Sequence, residues 1–163
     1  MNKNRMPKEL VSSPLFLLKR LGMTAKEHSM AAYDEAGIHP YHYAILATLD
    51  EAQRETQGAI ADTLGYDRGQ LVGLLDELEE AGYVERRRDP DDRRRQVVVM
   101  TPDGKKALGK LRTLTARLDA EFLAPLDDEQ RMQLQKLLLM LAEEHLPNCR
   151  YVAAATAETV AAS

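Results

Sequence analysis

Six arginines, Arg86, Arg87, Arg88, Arg93, Arg94 and Arg95, stand within the eleven residues from Glu85 to Arg95. A guanidinium is always charged and presents its N–H groups as a planar fork, the geometry that suits phosphate oxygens and the edges of bases. Glu85, Asp89, Asp91 and Asp92 share the segment and leave it a local +2. Read alone, such a charge run is either a solvated turn laced with ion pairs or a polyanion contact. Upstream, Arg68, Gly69, Gln70 and Gly73 form a second group. Arg pairs with guanine and Gln with adenine, and glycine lets a backbone come close to another surface. A third group is aromatic: Tyr33, Tyr41, His42 and Tyr43. Rings with polar tips suit a small aromatic acid, and they serve equally well as core with a satisfied hydroxyl.

Other chemistry is thinly represented. His39 and His42 have the H-x-x-H spacing of a metal pair, with no evident third ligand, and no metal site is expected. The single cysteine, Cys149, can form no internal disulfide and supplies no CxxC pair. There is no G-x-S-x-G, no glycine-rich phosphate loop and no H-E-x-x-H. The chain reads as a non-enzyme that needs no cofactor.

At 163 residues, with 44% hydrophobic and 29% charged residues, the chain has the composition of one globular domain or subunit, not of a collagenous or disordered one. The longest apolar runs, such as Leu137 to Ala142, are too short to span a membrane. Lys3, Arg5 and Lys8 imitate the charged start of a secretory signal, but the apolar run after Pro14 stops at Lys19-Arg20. A cytoplasmic location is expected. Overall, 22 basic against 26 acidic residues give −4, which taken alone argues against a nucleic-acid partner. Outside Glu85–Arg95, however, the balance is 16 basic to 22 acidic, so cationic potential is concentrated in one short segment.

Hydrophobic periodicity supplies the elements that must position these groups. A helix is expected from about Ser13 to Ala36, with Leu15, Leu18, Gly22, Ala25, Ala32 and Tyr33 on one face; small residues there imply close packing against another helix. Gly37 stops it and Pro40 starts a second, to about Glu51, that turns Ile45, Leu46 and Leu49 inward. A short third helix, about Gln57 to Leu64, ends at Gly65, where a left-handed cap belongs. Asp67 opens a fourth, with Gln70 placed for a capping box and a stripe of Leu71, Leu74, Leu75 and Leu78, ending near Ala81-Gly82. The period then becomes extended: Tyr83 to Arg86 reads as a strand, Arg88 to Asp92 as a turn and Gln96 to Met100 as the return strand. Thr101-Pro102-Asp103 starts a fifth helix to about Phe122, with Leu108, Leu111, Thr115, Leu118 and Phe122 on one face. After Pro125, Asp127 to Gln130 cap a sixth, lined by Leu134, Leu137, Leu138 and Leu141 as far as Pro147. The alanine-rich remainder is expected to be mobile.

Two short helices joined at a glycine, the second opening with polar residues, and then an arginine-tipped hairpin make a winged helix-turn-helix, mainly α with a small β wing. The fourth helix fits a major groove, and the wing reaches the adjacent minor groove, whose negative channel attracts a guanidinium. This order selects the DNA reading of the arginines over the solvated turn. The expected DNA-contacting residues are Arg68, Gly69, Gln70, Gly73, Arg86, Arg88, Asp92, Arg93, Arg94 and Arg95. A helical interaction scaffold would keep the long helices and would not need the wing.

From Leu15 to Leu146 the chain resembles the MarR (multiple-antibiotic-resistance) family of transcriptional regulators. The resemblance is most specific in Leu74-Leu75-Asp76-Glu77-Leu78-Glu79-Glu80-Ala81-Gly82-Tyr83-Val84-Glu85-Arg86, in Asp89-Pro90-Asp91-Asp92-Arg93-Arg94-Arg95 and in Met100-Thr101-Pro102-Asp103-Gly104. It implies an interlocked homodimer through the N- and C-terminal helices, with one DNA-binding lobe per subunit. The divisions would be 1–36, a dimerisation helix; 37–101, the winged lobe; 102–147, dimerisation helices; and 148–163, a flexible tail. Asp92 and Arg94 match the family's D-x-R wing pair, in which the aspartate orients the arginine toward the minor groove. The resemblance also implies a small aromatic or phenolic effector between lobe and dimerisation helices, where Tyr33, Tyr41, His42 and Tyr43 cluster, and a repressor that the effector releases from a pseudo-palindromic operator. Two branches fit less well. Peroxide sensors carry a reactive cysteine in the first helix, absent here, and zinc sensors place histidine on the fifth, which has none.

Overall fold

Ser13 and Pro14 begin the first long helix as capping chemistry requires, the Ser13 hydroxyl accepting the Phe16 N–H at 3.3 Å. The computed structural model describes residues 5–146; Pro147, Cys149 and the expected tail lie outside the described residues. It forms one compact unit up to Pro40 and a second from Tyr41 onward. The first unit holds a short helix α1, Lys8–Val11, which the sequence reading omits, and α2, Pro14–Glu35. Of the face expected to pack closely, Leu15, at 77%, Leu18 and Gly22 are exposed in the single chain, Ala25 and Ala32 are half-buried and Tyr33 is buried; Leu21 and Met23, off that face, are exposed as well.

The second unit carries the lobe. Its elements are α3 (Pro40–Ala52), β1 (Arg54–Glu55), α4 (Gln57–Leu64), α5 (Arg68–Glu80), β2 (Val84–Arg88), β3 (Gln96–Met100), α6 (Pro102–Phe122) and α7 (Asp128–His145). Gly65 adopts φ 67° and ends α4, a left-handed turn where a side chain would be strained. Leucine and isoleucine stripes of α3, α4 and α5 meet in one core: Ile45, Leu46, Leu49, Ile60, Leu71, Leu75 and Leu78 are all buried.

The hairpin is larger than the pattern suggested. β1 adds a third antiparallel strand, giving the order β1-β3-β2. Two residues are too few to show any alternation, which hid β1 from a reading by period. As the central strand, β3 buries Val97, Val98 and Val99 in succession instead of every second residue. Arg88, expected in the turn, ends β2 and pairs with Gln96, and the strand starts at Val84, not Tyr83.

α6 is bound tightly to this sheet. Thr101 caps it, accepting the Gly104 N–H at 3.0 Å while its hydroxyl donates to the Gly82 carbonyl at 2.7 Å. A Cβ on Gly104 would lie 2.1 Å from the Tyr83 carbonyl oxygen, so only glycine permits this approach. Farther along, Arg112 donates to Asp50 of α3 at 2.8 Å. At α7, Asp127 and Gln130 form a reciprocal capping box. No residue of α7 is buried, and Leu137, Leu138, Met140 and Leu141 are exposed, so the leucines read as core or seam stay outside this chain's own core.

Candidate nucleic-acid interface

The N-terminus of α5 is held by one carboxylate. Asp67 Oδ1 accepts the N–H groups of Gly69 and Gln70 at 2.9 and 3.0 Å. With Leu71, Leu74, Leu75 and Leu78 turned into the core, the opposite side presents Arg68, Gly69, Gln70, Val72 and Gly73 to solvent. Arg68 has one distant ion pair, 3.7 Å to Asp62. Nothing lies within 4 Å of the position a Cβ on Gly73 would take. Glycine inside a helix costs about 1 kcal/mol against alanine, and at position 73 no packing within the chain requires it. Val72, 43% exposed between these polar positions, is an apolar group that the sequence reading passed over. Its signal was available, since the leucine stripe leaves position 72 on the far side.

In the wing, the aspartates hold the loop together. Asp89 is buried; its side chain accepts the Asp91 N–H at 3.0 Å and its own N–H donates to the Arg95 carbonyl at 3.0 Å. The Arg95 N–H in turn donates to the Asp92 carbonyl at 2.9 Å. Arg54 of β1 reaches in from below, hydrogen-bonded to Asp91 and 4.0 Å from Asp89. Asp92 accepts the Arg94 backbone N–H at 3.0 Å and lies 3.4 Å from its guanidinium, while the Arg94 side chain is 93% exposed. Asp91 is thus paired with an arginine from outside the tip, while Asp89 and Asp92 hold the loop's backbone and Asp92 also pairs with Arg94. Among the described residues Arg93 and Arg95 form no ion pair, and Arg88 donates to the Arg93 carbonyl at 3.2 Å.

The site residues therefore divide. Arg68, Gly69, Gln70 and Gly73 share the exposed side of α5, and Arg88, Arg93, Arg94 and Arg95 stand exposed on the wing with Asp92 beside Arg94. Arg86 is placed otherwise. Its side chain is 17% exposed, its guanidinium bonds Asp76 at 2.6 Å and also Glu79, and its backbone N–H donates to Glu79 at 3.0 Å. Burial would lower its pKa, but the hydrogen bonds and charges of Asp76 and Glu79 outweigh that and raise it. Arg86 thus clamps β2 to α5. Neither it nor Arg54 could be assigned from sequence, because each needs partners that only the fold brings near.

Of the aromatic group, Tyr33 lies in the last turns of α2 and the other three in the first turn of α3. Tyr41 meets Tyr66 of the α4–α5 turn, ring centroids 5.1 Å apart and tilted by 59°. Burial, then the Tyr41 phenol, push the Tyr66 pKa up. His42 Nε2 stands 2.8 Å from Glu77 of α5. Tyr41 and His42 thus both fasten α3 to the helix-turn-helix. Among the described residues no group of three or more His, Cys, Asp or Glu is arranged to hold a metal, and no helix is long and apolar enough to cross a membrane.

Likeness to known proteins follows the same segment. A family model described as MarR family matches residues 36–95, from the end of α2 to the wing tip. The putative transcriptional regulatory protein for the hcr operon of Thauera aromatica is 35% identical over 105 residues, 64% of this chain; the chain spans 63% of that relative's length. The HTH-type transcriptional regulator YcgE of Bacillus subtilis is 35% identical over 103 residues, 63% of this chain and 67% of its own. Among solved structures, the transcriptional repressor CouR bound to a 23-mer DNA duplex superposes with a TM-score of 0.76 at 28% identity, over 86% of this chain and 99% of that one. CouR from Rhodococcus jostii RHA1 bound to p-coumaroyl-CoA gives 0.70 at 29% identity, over 83% and 96%. The segment from the end of α2 to the wing tip is thus shared in sequence as well as in shape, and the chain belongs to the MarR family.

Proposed function

We propose that the protein is a cytoplasmic transcriptional repressor, with no enzymatic role, that binds a pseudo-palindromic operator as a homodimer and leaves it when a small organic effector binds. The observation that carries this reading is Arg94: 93% exposed, it projects from a wing whose aspartates are committed to its own loop. Gln70 and Arg68 read base edges in the major groove, and Val72 meets a thymine methyl. Gly69 and Gly73 allow α5 to lie close, and Arg88, Arg93 and Arg95 take phosphates. Arg94 enters the minor groove.

Dimerisation accounts for the open apolar faces. Leu15 and Leu18 of α2, and Leu137, Leu138 and Leu141 of α7, each gain by leaving water, and a second copy offers the same surfaces by two-fold symmetry. Two α5 helices would then meet successive major grooves about 10 bp apart. Release by an effector has support in CouR, which is described with DNA and with p-coumaroyl-CoA. Through Tyr41–Tyr66 and His42–Glu77, a movement of α3 would be felt by α5. A gel shift with the DNA upstream of its own gene tests the reading: retardation lost in Arg94→Ala is expected, and no retardation in dilute salt overturns it.

A further inference from the structure

Gly73 and Val72, on the outward side of α5, are not accounted for by packing within the chain. At about 100° per residue, Gly69 and Gly73 fall on one line opposite the leucine stripe, and Val72 and Gln70 stand about 80° to either side of it. Nothing lies within 4 Å of where a Gly73 Cβ would point, and at Gly69 the nearest atom is the capping Asp67 Oδ1, at 3.1 Å. Beyond Gly73 the line runs into Asp76 and Glu80, carboxylates that DNA phosphates repel. Bare backbone is therefore confined to the first two turns of the helix, and Val72 borders it. A valine is disfavoured here on two counts: it forms helix less well than alanine, and its side chain stays 43% exposed to water. Its asset is stiffness. On a helix the β-branch holds essentially one rotamer, so little freedom is lost when another surface closes on it.

We infer that Val72 reads the 5-methyl group of a pyrimidine at one position of each half-site, and that the methyl alone sets the preference there. The inference rests on the proposed DNA binding and deepens it, separating the methyl from the rest of the base. Valine has neither donor nor acceptor, so it gains nothing from the hydrogen-bonding edge of any base pair. The one apolar group on the major-groove edge of ordinary DNA is the thymine C5-methyl. The bare line from Gly69 to Gly73 lets α5 settle until a side chain as short as valine reaches that methyl, whereas Arg68 and Gln70 are long enough to reach base edges from farther out. A consequence follows for modified DNA. At C5 a 5-methylcytosine presents the same group as thymine, so methylation of a cytosine at this position strengthens binding instead of blocking it.

Anisotropy titration of the full chain against a duplex selected from random sequence tests this, with each thymine of a half-site replaced in turn by deoxyuridine, whose base lacks only the methyl. At one position the replacement should weaken binding about fourfold, the effect of burying one methyl, and about tenfold or more when made in both half-sites. Val72→Ala, on an exposed helical position, should melt no lower than the parent protein. It should bind the thymine duplex about tenfold or more weakly and show no response to deoxyuridine at that position. With cytosine there, 5-methylation should recover about fourfold per half-site for the parent protein and nothing for Val72→Ala. Half-sites selected without thymine, no response to deoxyuridine at any position, or a response that persists in Val72→Ala overturns the inference and leaves the DNA-binding reading standing. Selection of no duplex at all in dilute salt overturns both.

Discussion

Arg94 and Gly73 are the single residues on which the DNA account is most exposed. Arg94→Ala removes a side chain held only by Asp92, so the melting temperature should not change while operator affinity falls steeply; unchanged affinity at physiological salt would remove Arg94 from the interface. Gly73→Ala adds a methyl into open space on a helix. Stability should rise by up to about 1 kcal/mol, and a methyl on a face that meets a duplex should weaken binding at the same time. Thermal unfolding beside an anisotropy titration reads both, and a gain in stability with full affinity would mean that α5 does not approach closely. Gln70→Ala should cost about 1–3 kcal/mol at one base position. Tyr66 adds a pH dependence. Its pKa is raised in the folded protein, so folded chains hold the phenolic proton more tightly than unfolded ones, and stability should decline as pH climbs past the ordinary tyrosine range near 10. Tyr66→Phe should flatten that decline.

Among elements, the wing is a part built by neighbours. Arg54 ties it to β1 through Asp89 and Asp91, and Arg86 ties β2 to α5 through Asp76 and Glu79. A loosened loop and a lost phosphate contact have different signatures in salt. Arg93→Ala should reduce the slope of log affinity against log salt by about 0.9, whereas Arg54→Ala should lower affinity at every salt with the slope kept. Equal slopes for both variants would assign Arg93 a structural role too. At the α6 junction, Gly104→Ala places a methyl against the Tyr83 carbonyl and should destabilise the lobe by about 1–3 kcal/mol, read by denaturant unfolding. The helices were legible in the sequence because Ser13, Asp67, Thr101 and Asp127 cap where their residue types predict and the leucine stripes run unbroken. The strand β1, the pairing of Arg88 and the clamp role of Arg86 were not. A two-residue strand has no period, and an arginine among arginines gives no sign of which one faces inward.

For the whole molecule, the proposed function makes one lobe and wing half of a DNA reader. The exposed leucines of α7 are consistent with a second copy completing it, and Leu137→Glu together with Leu141→Glu should yield a folded monomer in sedimentation that has lost operator binding. The pattern of leucines gave their face but not their partner, since core and seam use the same residues at the same spacing. The central claim is that α5 and the wing grip one duplex twice. Hydroxyl-radical footprinting on DNA selected from random duplexes tests it most directly. Protection should fall in two patches about one helical turn apart, flanked by minor-groove protections that vanish in Arg94→Ala. If no duplex is selected even in dilute salt, or if the outer protections survive that substitution, the account is contradicted.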